Sequence, residues 1–273
     1  MEKAGYLDHA EYSQYSAEPL TLNFHRTDHK DGSATYLREY LRKYLMATRP
    51  ERKDYASWNY AQFVTDSILW NTDPLYGWCN KNFKKDGSPY NVYSDGLKVF
   101  TTVDSRMQRY AEEAVYQHVA RYLQPAFSKE VSRKPSSPYS DKLTPKQIKA
   151  ILNRSVTQCE RYRQMKEAGC SAEEIHDTFR KKIPMTVFTY HGDIDTLMSP
   201  LDSIRYYKTF LRSGFMSMDP KTGAVKAYVG GLDYTHFMYD MVSLGRRQVG
   251  STIKPFLYSL AMENGFSPCD LAP

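Results

Sequence analysis

Nowhere in its 273 residues does the chain carry an uninterrupted apolar run of the ~18 residues that a membrane-spanning helix needs, and Met1-Glu2-Lys3 leads into no apolar stretch of the signal-peptide kind. Any targeting segment or membrane anchor is therefore expected outside this sequence. Cysteine is scarce: Cys79, Cys159, Cys170 and Cys269 are widely spaced, with no C-x-x-C pair and no zinc-like arrangement. A dense disulfide framework is excluded, and the four are read as buried free thiols, a Cys159 to Cys170 bridge being the alternative. Charge of one sign is never concentrated either. The net charge is +6, but lysine and arginine alternate with acids, which argues against nucleic acid as a partner. His25 and His29 have a helical metal-ligand spacing, yet Asp28, Lys30, Asp31 and Gly32 make this stretch a solvent-facing turn. Neither a cofactor nor a metal is expected.

What is present is a globular composition, 41% hydrophobic and 25% charged, sufficient for one large domain or two small ones. The 23 tyrosines suit extended surfaces and interfaces as readily as the stacking of nucleobases, so their number alone decides nothing. Residues 1–18 read as a short amphipathic helix with Ala4, Tyr6, Leu7 and Tyr12 on its apolar side, followed by an alternating, extended run over 19–24. Tyr36, Leu37, Tyr40, Leu41, Tyr44 and Leu45 recur at helical spacing. Residues 70–93 are rich in turn formers and aromatics, which predicts irregular or short-strand structure.

Leu97 to Val103 is predicted as a strand, and Asp104 as the cap of a helix whose stripe runs from Met107 through Ala111, Val115 and Val119 to Leu123. Pro125 to Ser140 reads as a surface loop. Thr144-Pro145-x-Gln147 opens a helix ending near Gly169, Ser171-x-x-Glu174 opens another, and Ser199-Pro200-x-Asp202 a third reaching Arg212. Gly214 to Met218 and Ala224 to Val229 form a hairpin about the turn Asp219-Pro220-Lys221-Thr222-Gly223. After a loop over 245–250, Ser251 begins a helix carrying Ile253, Phe256, Leu257, Leu260 and Ala261 on one side. Pro255 fits only its first turn, and Asn264-Gly265 ends it.

Ser251 and Lys254, three residues apart at that helix start, share one face, so the amine can reach the hydroxyl. A serine hydroxyl is a poor nucleophile until a neighbour takes its proton, and a lysine does so only when neutral. Bringing a lysine from about 10.4 to about 7 is worth roughly 4 to 5 kcal/mol. A helix N-terminus supplies typically about 0.3 to 1 kcal/mol, so desolvation and further partners must provide the rest. On spacing alone, a helix-cap serine beside a solvated lysine is the better account of the pair.

The surroundings of this pair add a family. Asp219-Pro-Lys-Thr-Gly-Ala-Val-Lys-Ala-Tyr-Val-Gly-Gly231, then Arg246-Arg-Gln-Val-Gly-Ser-Thr-Ile-Lys-Pro-Phe256 and Glu263-Asn-Gly265, closely resembles the opening of the transpeptidase domain of class A (bifunctional) penicillin-binding proteins. Phe100 to Gln108, continuing into Ala111 to Val115, is similar to the segment preceding that domain. Ala4 to Asp8 and Pro19-Leu20 resemble the tail of the family's glycosyltransferase domain. Residues 129–182 match nothing in this comparison and read as a solvated insertion.

The resemblance implies an α+β fold: a mixed helical and β spacer, then the first hairpin and nucleophile helix of a penicillin-binding-protein/β-lactamase-like transpeptidase domain, expected to be incomplete. It divides the chain into a glycosyltransferase tail (1–24), an interdomain spacer (25–103), a helical connector with insertion (104–213) and the start of the transpeptidase domain (214–273). It further implies D,D-transpeptidation through an acyl-serine, with Ser251 as nucleophile, Lys254 as base and the Ser251 main-chain N–H as an oxyanion donor. The partners implied are peptidoglycan stem peptides ending in D-Ala-D-Ala, β-lactams and other cell-wall synthesis proteins, on the periplasmic face of the inner membrane. The family's Ser-x-Asn and later Lys-Thr/Ser-Gly are not found downstream of Lys254, and Lys221-Thr222-Gly223 matches the latter only in letters, from within a turn. The segment by itself is therefore expected to be inactive. A non-catalytic cell-wall interaction module and a β-lactam hydrolase are the alternatives.

Overall fold

The structure, a computed structural model, describes residues 1–19 and 29–271. The chain divides into two compact units, Met1–Gly32 and Ser33–Pro273. In the first, Asp8 caps helix α1 (His9–Ala17) in a capping box with Glu11, and no residue of the helix is buried. The amphipathic reading of 1–18 is corrected accordingly: Tyr6, Tyr12 and Tyr15 all face solvent. The run expected to be extended over 19–24 lies, beyond Pro19, outside the described residues, as does His25.

The second unit opens with α2 (Thr35–Leu45), α3 (Tyr60–Thr72) and the single turn α4 (Trp78–Lys81). Residues 70–93 are thus partly helical, with one isolated bridge between Phe83 and Pro89. The long helix comes next as α5 (Ser105–Tyr116), a π-helical stretch Gln117–Leu123, and α6 (Gln124–Val131). Asp104 caps it as predicted, its carboxylate accepting from the main-chain N–H groups of Arg106 and Met107. Two expectations fail around it. Residues 97–103 form no ladder, because only Thr102, through its hydroxyl, and the Asp104 N–H bond to the adjacent strand. Pro125 does not open a loop: near the start of a helix its missing N–H costs little, and the chain stays helical to Val131.

Then follow α7 (Pro145–Gln158), α8 (Glu160–Glu167), α9 (Ala172–Arg180), strands β1 (Ile183–Val187) and β2 (Ile194–Met198), and α10 (Pro200–Tyr207). The predicted boxes at Thr144/Gln147 and Ser171/Glu174 are both formed, and Ser199 caps α10 through the Asp202 N–H. The single helix expected from 145 to 169 is instead broken at Cys159, whose ψ of 152° is extended, and α10 stops at Tyr207 rather than Arg212. Leu152, Ile175, Phe179 and Val187 are buried, each worth about 1.5 to 3 kcal/mol relative to exposure. Of the four thiols, all free, only Cys79 is buried.

Strands β3 (Phe215–Met218) and β4 (Val225–Val229) pair antiparallel as predicted, with an irregularity at Ser217/Met218. Ala227 and Val229 pack on Ala111 of α5. Gln108, 1% exposed, completes this contact: its amide accepts from the Tyr228 N–H at 2.7 Å and donates to the Tyr228 carbonyl at 2.9 Å. The side chain thus stands in for a neighbouring strand. Gln124 repeats the device on the 209–211 turn, donating to the Thr209 carbonyl and accepting from the Leu211 N–H. An aromatic cluster of Phe188, Phe210 and Phe237, with ring centroids 5.1 to 5.6 Å apart, joins the β1/α10 region to the segment beyond β4. Last comes α11 (Lys254–Glu263). Among the described residues no helix is long and apolar enough to cross a membrane.

Candidate active site

The approach to Ser251 is anchored at one end and bare at the other. Beyond β4, Gly230 and Gly231 lie beneath the Tyr36 ring of α2, where a Cβ would stand 2.7 and 2.3 Å respectively from the nearest Tyr36 atom. The Tyr36 hydroxyl donates to the Phe237 carbonyl at 2.7 Å, and burial, followed by the nearby Asp233 carboxylate, pushes its pKa well above that of an ordinary tyrosine. Asp240, also buried, accepts from the Tyr228 hydroxyl at 2.6 Å, the Ser243 hydroxyl at 2.8 Å and the N–H groups of Val242 and Ser243. The Met241 N–H returns to the Gly230 carbonyl at 2.8 Å. The turn over 240–245 is thereby tied to β4.

From Arg246 onward the packing ceases. Residues 246–250 are exposed, and Gly250, at φ 51°, leads into a 3-10 turn, Gly250–Ile253, which holds Ser251. The α-helix proper starts at Lys254, not Ser251, with Pro255 in its first turn as required. The Lys254 N–H bonds the Ser251 carbonyl, so the two residues adjoin along the main chain. Both side chains are exposed, and among the described residues neither makes a hydrogen bond or ion pair. Ser251 is not the helix cap, because no side chain caps α11. The apolar side predicted for this helix is present but uncovered: Phe256 is 72% and Leu257 55% exposed. Three cavities of about 480, 840 and 460 Å³ lie elsewhere, lined by nothing beyond Leu244.

The geometry therefore brings Ser251 and Lys254 to one helix start and leaves out the desolvation that a lysine base requires. Lys221, Thr222 and Gly223 sit in the hairpin turn, where the Asp219 carboxylate accepts from the Lys221 and Thr222 N–H groups. Among the described residues no group of three or more histidine, cysteine or acidic side chains is arranged to hold a metal ion. Tyr36, Gln108 and Asp240, which fix the approach to Ser251, escaped the sequence reading. The adjacent pair Gly230-Gly231 was the available sign that a bulky group passes close by.

The profile of the penicillin-binding protein middle domain matches residues 134–211. That span includes most of residues 129–182, so the expectation of an unmatched insertion there does not hold. Penicillin-binding protein 1A of Neisseria flavescens is 29% identical over 212 residues, 68% of this chain and 25% of the relative. Penicillin-binding protein 1A of Rickettsia bellii is 25% identical over 237 residues, 77% of this chain and 26% of the relative. Penicillin-binding protein 2D of Bacillus subtilis is 46% identical over 61 residues, 22% of this chain and 9% of the relative. No solved structure matches. The chain is thus similar to penicillin-binding proteins over most of its length. Its long matches are penicillin-binding protein 1A chains, of whose length it spans about a quarter.

Proposed function

We propose that this chain is part of a peptidoglycan synthase, with residues 214–273 beginning a D,D-transpeptidase domain in which Ser251 is the acyl-accepting nucleophile and Lys254 its base. On this reading residues 1–24 end a glycosyltransferase domain, and the whole acts outside the cytoplasm on stem peptides ending in D-Ala-D-Ala. The observation that carries it is the placement of Ser251 and Lys254 on consecutive turns at the start of α11, solvent-accessible and uncapped, beyond a hairpin and a 240–245 turn that are tied to each other. The hydroxyl attacks the penultimate carbonyl, its proton passes to the Lys254 amine, and D-alanine leaves as the acyl-serine forms. A second stem's amine then takes the acyl group. β-Lactams acylate the same oxygen by opening their ring.

Proton transfer to Lys254 requires a neutral amine, and an exposed lysine lacks the burial that favours one. The 273-residue chain is accordingly expected to remain unlabelled by a fluorescent penicillin. When the polypeptide is extended through its downstream reading frame, labelling is expected to appear and to vanish with Ser251→Ala. Labelling that persists in that variant removes Ser251 from the role.

A further inference from the structure

The cavity of about 480 Å³ between α2, α3 and the 234–244 segment lies away from Ser251 and has no part in the acyl-serine chemistry. Its size falls within the range of small-molecule sites. Tyrosine rings dominate its wall: Tyr40 and Tyr44 stack at 6.0 Å one helical turn apart, and Tyr76 meets Tyr44 edge-on at 5.0 Å. Two carboxylates share the wall, and both are held entirely by neutral donors. Asp66 accepts from the Tyr55 hydroxyl and the Gln62 amide, each at 2.8 Å, and Asp240 from two hydroxyls and two main-chain N–H groups. Among the described residues neither has a cationic partner. The third lining carboxylate, Glu39, is different, being paired with Arg42 at 2.8 Å. Lys43, at the exposed rim, is the only cation of the lining and forms no ion pair among the described residues.

We propose that this cavity binds a primary ammonium group on a small organic ligand. Aromatic faces and uncompensated carboxylates both attract a cation; Asp66 keeps a lone pair for a further donor, whereas Asp240, already accepting four hydrogen bonds, contributes its charge. An anionic ligand would meet two negative charges against one lysine. The surroundings of Tyr76 agree with this sign: burial first, then the Asp66 charge, push its pKa up to about 12. Lys43, exposed at the rim, would compete with such a ligand for these carboxylates.

The proposal does not rest on Ser251, and direct binding tests it. Calorimetric titration of the 273-residue chain would compare Nα-acetyl-lysine methylamide with its Nε-acetylated twin, and glucosamine with N-acetylglucosamine. Binding of either amine with no binding of its acetylated twin supports the proposal, and the better amine tells a peptide source from an amino sugar. Asp66→Asn is expected to weaken binding about tenfold. Tyr40→Leu, at a ring 41% exposed, is expected to weaken it about fivefold. Lys43→Gln is expected to strengthen it about threefold. Equal binding of amine and twin, absence of binding, or indifference to both Asp66→Asn and Tyr40→Leu would overturn the proposal.

Discussion

Twenty-three residues separate Tyr228 from Thr252, and the two ends of that span could hardly differ more in their surroundings. Around β4 every side chain from Ala227 to Val229 is buried, the main chain of Tyr228 is satisfied by Gln108, and a neighbouring ring lies directly over the two glycines that follow. Around α11 the helix is regular, correctly started by proline and correctly ended by Gly265 at φ 89°, yet nearly every residue is exposed. Both belong to one stretch of family-like sequence. Spacing and caps are local properties that a short segment realises unaided, whereas the polarity around a nucleophile comes from elements distant in sequence. The Ser-Lys pair shows the first kind of property without the second.

Breaking the packed end should have the largest effect. Gln108→Leu keeps much of the volume but strands the Tyr228 N–H and carbonyl in a dry contact, and is expected to cost about 2 to 4 kcal/mol in urea or guanidinium unfolding. A cost under about 1 kcal/mol would show that water reaches β4 and that the two ends are less different than they look. Gly230→Ala follows, at about 2 kcal/mol, because the new Cβ would lie 2.6 Å from an Asp240 oxygen and 2.7 Å from the Tyr36 ring. Gly223→Ala is its control: there φ is 71° but nothing lies within 4 Å, so only the backbone cost of about 1 kcal/mol is expected.

A pH titration sharpens the same contrast with a smaller change. Tyr36, Tyr44, Tyr55 and Tyr228 are raised with Tyr76, chiefly by burial, and all five belong to the packed part of the unit. A raised folded-state value favours the protonated tyrosine. The contribution is therefore complete below the unfolded value of about 10 and is lost as pH rises through the higher folded values. For Tyr76 that window runs from about 10 to about 12. Stability should fall across it, and phenolate absorbance should lag behind that of a denatured reference. Coincident titrations of folded and denatured chains would count against the packing described.

How much of this was legible follows the same division. The caps at Asp104, Thr144, Ser171 and Ser199 could be read because donor and acceptor lie within three residues. So could the 219–223 turn, where one aspartate and one glycine determine the bend. Gln108 could not, since its partner is 120 residues away and nothing in a helical stripe distinguishes a buried amide from a solvated one. The β1–β2 hairpin was passed over because Pro184 interrupts the first strand's pattern, although in the sheet it pairs with Leu197. Within the candidate site, the adjacency of Ser251 and Lys254 was readable and the exposure of both was not, because exposure depends on what else packs there.

The smallest expected effect is the most discriminating. Leu257→Ser removes a large apolar group from α11, and in a packed helix a loss of this kind costs several kcal/mol; Leu→Ala in cores typically costs about 2 to 5. Here Leu257 is more than half exposed, so the transfer contribution is small and the remaining cost is the lower helix preference of serine, about 0.5 kcal/mol or less. Equilibrium unfolding of the 273-residue chain measures it directly. A loss near 2 kcal/mol would mean that α11 is covered in solution. The polarity around Lys254 would then no longer be that of an exposed amine, and the expectation that this chain stays unlabelled by penicillin would lose its physical basis. A loss within about 0.5 kcal/mol leaves that expectation standing, and with it the view that the desolvation the proposed role of Ser251 and Lys254 requires is not supplied by residues that pack on this helix here.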